Sequence, residues 1–400
     1  MNVLVLDGNE NQAVASVRSL AKAGHTVTVG SESSWSKAGW SRYCRRTFVY
    51  PSPELSIPAF VSSVVAEMGL NPGTLVLPMT EKTTLPLSAN REELLRNGGK
   101  VVLPPHPTVL QAFDKNYTTG LARDLGIRIP QTCLIVDVQQ AAELAKTFPL
   151  PAVLKPRSSQ EARVTGVKTT GRPLYARTPA EFLHAYGQLS HRASSIIAQQ
   201  FVEGIGAGYF ALMHHGEMCA EFAHHRLRDV HPTGSGSSLR VSVAPDPELR
   251  AAGLKLLRAL HWHGVAMVEF RLPNQGGPFF LEVNGRFWNS LSLAVNAGCD
   301  FPALLARMAE TGKPVSGNGY EIGLRTRWLL GDFRHLIAVW RGAPREYPGQ
   351  FPGRLHTLAQ FLTPVPGTSH DNFTFNDPLP EVGDWLDLIT RRVPRLLKKK

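Results

Sequence analysis

The sequence predicts an α/β lobe followed by α+β lobes, and three observations carry that expectation. Strand-like and helix-like stretches alternate through the first hundred residues, Gly and Pro divide much of the remainder into hairpins, and 400 residues exceed what one hydrophobic core organises. A hydrophobic content of 43% is ample for globular packing.

The first lobe begins with "NVLVLD", an apolar run ending in a turn at Gly8. "NQAVASVRSLAKAG" then carries apolar residues at helical spacing and stops at Gly24, and "HTVTVGS" is a second strand. Strand, helix and strand in this order form the βαβ unit of a doubly wound parallel sheet, which "GTLVLPMT" and "KVVLPP" continue. The opening turn "DGNENQ" lacks the G-x-G-x-x-G that lets a backbone approach a pyrophosphate. A nicotinamide or flavin site is therefore disfavoured, while other ligands remain open to the strand ends.

Beyond residue 106 the pattern changes. "PTVLQAFDKNYTTGLARDLG" predicts one helix with Asp114 and Lys115 early in it, and "VQQAAELAKTF" predicts another. In "LPAVLKPRSS", Lys155 breaks an apolar strand, where a lysine either snorkels outward or holds an anion. Taken alone, Lys115 and Lys155 each read as ordinary surface lysines. "SSIIAQQFVEGIGAG" is a strand entering a Gly-punctuated turn, and "YFALMHHGEMCAEFAHHRLRDV" reads as a hairpin turning near Gly216. "DPELRAAGLKLLRALHWHG" is a helix with Asp246 as N-cap and Pro247 at its first position.

"VAMVEFRLPNQGGPFFLEVN" makes a second hairpin. Period two places Glu282 and Asn284 on one face of its second strand, and Glu269 on the first strand alternates with Met267 and Val265. Antiparallel pairing would bring these three oxygen-bearing side chains together. Two carboxylates that close repel each other unless a cation intervenes, and carboxylate with amide oxygen suits Mg²⁺.

Other features exclude function classes. Cys44, Cys133, Cys219 and Cys299 stand far apart, against a disulfide framework or a zinc site, and a reducing cytoplasm is the expected setting. The N-terminal apolar run turns polar too soon for a signal peptide, and no stretch approaches the ~20 apolar residues of a membrane span. The net charge of +11 is dispersed apart from "RYCRR" and the tail "RRVPRLLKKK", so a small anionic ligand suits it and nucleic acid is not expected. The tail reads as a solvated end. The pairs His214–His215 and His224–His225, and His261 with His263, read as structural, since adjacent strand residues face opposite ways.

In order, Lys115, the "VLKP" strand lysine, "QQFVEG", "MVEF" and "FLEVNGR" resemble the ATP-grasp ligases over roughly residues 1–310, most nearly the branch of biotin carboxylase and carbamoyl-phosphate synthetase. The resemblance implies an ATP-grasp fold with an N-terminal Rossmann-like pre-ATP-grasp domain over 1–105. A small lobe with its preceding helix would span 106–200, and a large lobe with a metal site 201–315. A partly helical C-terminal segment with a basic tail would fill 316–400, bordering the site through Arg325 or Arg327. By the same resemblance Lys115 and Lys155 hold the ATP phosphates, and Gln199, Gln200, Phe201 and Val202 read adenine. Glu203 takes the ribose hydroxyls, and Glu269, Glu282 and Asn284 bind Mg²⁺ (or Mn²⁺). Arg286, Arg226 and Arg228 would act on the acyl phosphate, the phosphates and the substrate carboxylate. "RSSQEARVTGVK" stands where the family has a glycine-rich lid but holds only Gly166, with Ser158, Ser159 and Arg163 as substitutes. "PTGSGSS", residues 232–238, is either a substrate-covering turn or a surface connection.

The expected activity is ATP-dependent ligation of a small-molecule carboxylate to an amine through an acyl phosphate, with ADP and phosphate released. Two alternatives stand beside it: bicarbonate activation for an amine carboxylation, and a nucleotide-binding regulator without turnover. A homodimer is compatible with either chemistry.

Overall fold

The first sheet follows the predicted alternation except that Arg46–Val49 supplies one strand, while "KVVLPP" meets the sheet only through a bridge between Leu75 and Lys100. In this computed structural model, which describes residues 1–163 and 166–397, β1 (Asn2–Val5), β2 (Thr26–Ser31), β3 (Arg46–Val49) and β4 (Leu75–Leu77) lie parallel in the order β3-β2-β1-β4. Val164 and Thr165 of the lid stretch and 398–400 of the basic tail lie outside the described residues. Helix Asn11–Lys22 buries Val14, Val17 and Leu20 against this sheet's hydrophobic cluster, as its apolar spacing requires.

The small lobe comprises β5 (Thr132–Ile135), β6 (Ala152–Pro156), the hairpin β7 (Gln160–Ala162) and β8 (Val167–Thr169), β9 (Leu174–Ala176) and β10 (Ile196–Gln200). Its four-stranded antiparallel sheet runs β5-β10-β6-β9, with helices Val138–Thr147 and Pro179–Ser190 closing a core of Ile135, Leu154, Phe182 and Ile196. The predicted single helix before it is two. Asp114 is extended and caps a new helix, Lys115–Asp124, by accepting from the Asn116 and Tyr117 amides. That break puts Lys115 at a helix start, aimed at the small lobe.

The large lobe contains β11 (Ile205–His214), β12 (Glu217–His231), β13 (Ser235–Ser242), β14 (Gly264–Leu272), β15 (Phe279–Asn284), β16 (Arg325–Arg327) and β17 (Thr368–His370). They form one sheet in the order β15-β14-β11-β12-β13-β16-β17. Asp246 caps the helix Pro247–Ala259 through the Glu248 and Leu249 amides, as its sequence signature predicts. The C-terminal segment therefore extends the large-lobe sheet: "RTR" forms β16, and the helix begins only at Leu329. No helix among the described residues is long and apolar enough to cross a membrane.

Candidate active site

A cavity of about 310 Å³ opens between the two later lobes. Its walls include Lys115, Lys155, Gln199, Gln200, Phe201 and Val202 from the small-lobe side and hinge, and Arg226, Glu269 and Glu282 from the large lobe. A volume near 300 Å³ lies at the lower end for small-molecule sites.

The acidic floor comes from strand register. Glu269 on β14 stands directly opposite Glu282 on β15, and Met267 opposite Asn284, so the hairpin brings the three oxygen donors together. The Asn284 amide donates to Glu282 Oε1 at 3.3 Å. Each carboxylate also faces a cation: Arg226 Nη2 lies 2.8 Å from Glu269 Oε2, and Lys115 Nζ lies 3.4 Å from Glu282 Oε2. Burial pushes the Glu282 carboxyl up, but Lys115, Lys155, the Asn284 amide and Arg286 outweigh it and hold the group at about 2. Glu282 is an anion at any physiological pH.

Lys155 does not snorkel to solvent. Its side chain is buried, and among the described residues it has neither a hydrogen bond nor an ion pair. Burial lowers its pKa to about 8; Glu282 and Glu269 pull it up, whereas Lys115 and Arg271 push it down. Lys115 also donates to Ser159 Oγ at 3.1 Å, which ties it to the start of the lid stretch.

At the hinge, the Gln200 amide is taken by the Gln131 carbonyl and the Phe201 amide by the Pro151 carbonyl. Among the described residues the Val202 amide has no partner and is an available donor at the hinge. Gln199 does not face solvent; its amide donates to Thr132 Oγ1 at 3.0 Å. Tyr175, Arg172 and Arg271 complete the walls and were not singled out by sequence. Arg271, two residues after Glu269 on β14, carried a period-two signal; Tyr175 and Arg172 carried none.

Four predicted site residues do not line the cavity: Asn284, beside Glu282, and Arg228, Glu203 and Arg286. Arg228 is not brought to the cavity, because β12 slips register on both sides of it, and it pairs with Asp332 Oδ2 at 2.6 Å and Gln360 Oε1 at 3.2 Å. Glu203 borders a neighbouring cavity of about 280 Å³ and accepts from the Gln350 amide at 3.2 Å. Arg286 adjoins the acidic floor from the far side, donating to Asn284 Oδ1 at 2.9 Å and to the Phe287 carbonyl at 3.0 Å. Of the covering turn, Gly234 and Gly236 line the cavity, and the Tyr175 hydroxyl donates to the Thr233 carbonyl above it. Arg325 and Arg327 lie in β16, away from this cavity, and Arg327 Nε donates to Asp332 at 2.5 Å.

The His215 and His263 rings stack 4.1 Å apart, but no group of three or more His, Cys, Asp or Glu side chains that could hold a metal is present among the described residues. Glu269 and Glu282 line the cavity, with Asn284 beside Glu282 on β15, and carboxylate and amide oxygens suit Mg²⁺.

No family model matches the sequence. The carbamoyl phosphate synthase large chain of Methanocorpusculum labreanum is 26% identical over 236 residues, which is 56% of this chain and 22% of that protein. This chain thus spans about a fifth of that relative's length. The D-alanine–D-alanine ligase of Dechloromonas aromatica is 26% identical over 222 residues, 50% of this chain and 67% of that enzyme. Among solved structures, the biotin carboxylase domain of Hydrogenobacter thermophilus 2-oxoglutarate carboxylase, a dimer in complex with MgADP, ADP and bicarbonate, superposes with a TM-score of 0.62. It is 13% identical, covering 81% of this chain and 73% of that one, a likeness of fold.

Proposed function

We propose that this chain, whose fold is that of the ATP-grasp proteins, is an ATP-dependent ligase that activates a carboxylate as an acyl phosphate and joins it to an amine. The observation that carries the reading is the charge layout of the cleft: an acidic pair at the floor, flanked by Lys115, Lys155 and Arg226. Phosphoryl transfer asks for charge neutralisation and alignment rather than covalent help, and this arrangement supplies both. In this reading Phe201 and Val202 take the base, with the Val202 amide as donor, and Lys115 and Lys155 take the phosphates. Glu269, Glu282 and Asn284 would hold Mg²⁺, which when bound supplies positive charge against the phosphate oxygens.

A substrate carboxylate oxygen attacks the γ-phosphorus, an O–P bond forms, and the bond to ADP breaks with its electron pair leaving on ADP. The amine nitrogen then attacks the acyl carbon; the C–N bond forms as the C–O bond to phosphate breaks. Two protons leave the original ammonium, one before attack and one with the departing phosphate. Arg226 on the cavity wall opposes the charge that builds on the transferred group, and Arg286 acts on the floor through Asn284.

The test is ADP release with candidate carboxylates, using hydroxylamine to trap the acyl phosphate. Glu282→Gln should stay folded yet lose roughly a hundredfold or more in turnover, the scale of removing one placed electrostatic group. Turnover at the wild-type rate in that variant contradicts the assignment. Incorporation of labelled bicarbonate in place of hydroxamate formation selects the carboxylase alternative.

A further inference from the structure

A surface helix turns its apolar stripe to the core and its charges to water. The first turns of helix Leu379–Leu397 do the reverse. Glu381 and Asp384 are buried on the side that meets the body, where Asp384 accepts from Lys37 Nζ and from the Asn372 amide, each at 3.0 Å. Gly383 lies so close to the N-terminal lobe that a Cβ there would stand 3.1 Å from Lys37 Cα. On the outward side Leu379, Val382 and Leu386 are 51%, 47% and 36% exposed, and Phe375 in the turn before the helix is 95% exposed. Steps of three and four residues put the three helical residues on one face, and the sequence keeps those steps with Ile389, Val393 and Leu396.

The two basic runs of the sequence, neither used by the nucleotide cleft, flank this stripe. Beyond it, residues 391–400 carry six Lys and Arg and no Asp or Glu. Before it, "RYCRR" comes against the turn that holds Phe375: Arg42 Nη1 donates to the Asn376 carbonyl at 3.2 Å, and the Asn376 amide donates to the Tyr43 hydroxyl at 3.2 Å. Arg42 and Arg45 of this run are exposed, while Arg46 pairs with Glu67. The fold thus sets two runs from distant parts of the chain at the two ends of one helix, with an outward apolar face between them. A merely solvated charge run needs no such neighbour.

We propose that this face is a docking surface for an anionic lipid bilayer, with the helix lying in the plane of the interface. Phe375, Leu379, Val382 and Leu386 enter the headgroup boundary, and the basic runs at either end meet lipid phosphates. Such a helix needs an apolar face and nearby cations; it does not need the length or apolarity of a span. Charge chooses among the possible occupants. A second copy of the chain would pair this face with itself, and because both ends of the stripe are basic, either direction of pairing sets like charges together. The stripe is also the outward ridge of one helix rather than a pocket that seats a partner's anchor residue. None of its four residues lines the nucleotide cavity, so docking leaves that site in place.

The experiment is flotation of the full chain with vesicles of phosphatidylcholine alone or mixed with phosphatidylglycerol. The chain should float with the anionic vesicles and not with the neutral ones, and added salt should release it. Two variants separate the contributions. Leu379→Ser with Val382→Ser removes apolar area, and Lys398→Gln with Lys399→Gln and Lys400→Gln removes charge. Each should weaken vesicle binding about 10–100-fold, with melting temperature reading the folding of both. No flotation of wild type with anionic vesicles overturns the proposal. Full flotation of the Leu379→Ser, Val382→Ser protein overturns it too, because that is adhesion of a positively charged chain without docking of the face. A dimer in sedimentation that this variant dissociates, and that anionic vesicles leave intact, assigns the face to a second copy and likewise overturns the bilayer.

Discussion

Three buried aspartates of the C-terminal strap, residues 371–384, meet cations directly, whereas in the interlobe cleft Arg226 pairs with Glu269 but Lys155 has no ion pair among the described residues. Arg18 Nε donates to Asp377 Oδ2 at 2.8 Å, Lys37 lies 3.0 Å from Asp384, and Arg240 pairs with Asp371, both side chains fully excluded from water. Asp371 further accepts from Ser292 at 2.5 Å, and Asp384 from the Trp328 indole at 2.5 Å. In the cleft, among the described residues, Lys155 has no ion pair and Lys115 reaches Glu282 at 3.4 Å. The strap pairs are at most 10% exposed, whereas Lys115 and Glu282 are 12% and 27% exposed at the open cavity. Saturated pairs join the N-terminal lobe, the large lobe and the strap into one body, while unsaturated groups are those a ligand would complete.

Breaking the strap gives the largest expected effect. Arg240→Met leaves Asp371 buried without its cation, which should cost ~3–5 kcal/mol, read as a shift of the urea unfolding midpoint at unchanged slope. A loss below ~1 kcal/mol would place the strap among the solvated surface pairs and dissolve the contrast.

Lys155→Met makes the complementary change in the cleft. It keeps most of the apolar stem and removes a charge that no neighbour touches, so the melting temperature should move little. ATP binding should weaken about 10–100-fold, seen as loss of the ATP-dependent rise in melting temperature. The pH dependence has a defined sign. Burial lowers Lys155 from 10.5 to about 8, so between these values the unfolded chain holds a proton that the folded protein has released. Stability therefore carries the full cost of the buried charge below about pH 8 and recovers as pH rises toward 10.5. Phosphate binding needs the charge, so ATP affinity should fall as pH rises above about 8, and in the variant it should be flat across that window. An equal pH slope in both proteins assigns the titration to another group.

How much of this contrast was legible in the sequence follows from the range of each signal. Lys155, Glu269, Glu282 and Asn284 were readable because a charge inside an apolar strand and a period-two spacing are local patterns. The strap was not, since Arg18 and Asp377 lie at opposite ends of the chain and nothing near either residue specifies the other. Arg228 was lost to a bulge, which shifts the face of a strand without altering its composition. The helix break at Asp114 did have a local sign, an Asp able to cap, but apolar spacing across it favoured continuity.

The smallest effect should come where the C-terminal segment meets the cleft through uncharged contacts. The Tyr347 ring stands edge-on to Tyr175 of the small lobe at 5.0 Å and to Phe201 of the hinge at 6.0 Å, and Tyr175 and Phe201 themselves meet at 6.0 Å. Three segments distant in sequence thus share one aromatic cluster on the cavity wall, and the Gln350 amide holds Glu203 beside it. An aromatic pair is worth ~0.5–1.5 kcal/mol beyond the area it buries. If the cluster sets the wall against which the base packs, Tyr347→Ala should weaken ATP binding about 2–10-fold, with Tyr347→Phe restoring it because the edge contacts need no hydroxyl. The change should appear in the ATP concentration giving half-maximal thermal protection, with melting without nucleotide shifting far less than in Arg240→Met. A Tyr347→Ala protein with wild-type ATP protection would make this loop a passive cover. A loss that phenylalanine does not restore would move the role from the ring to the hydroxyl.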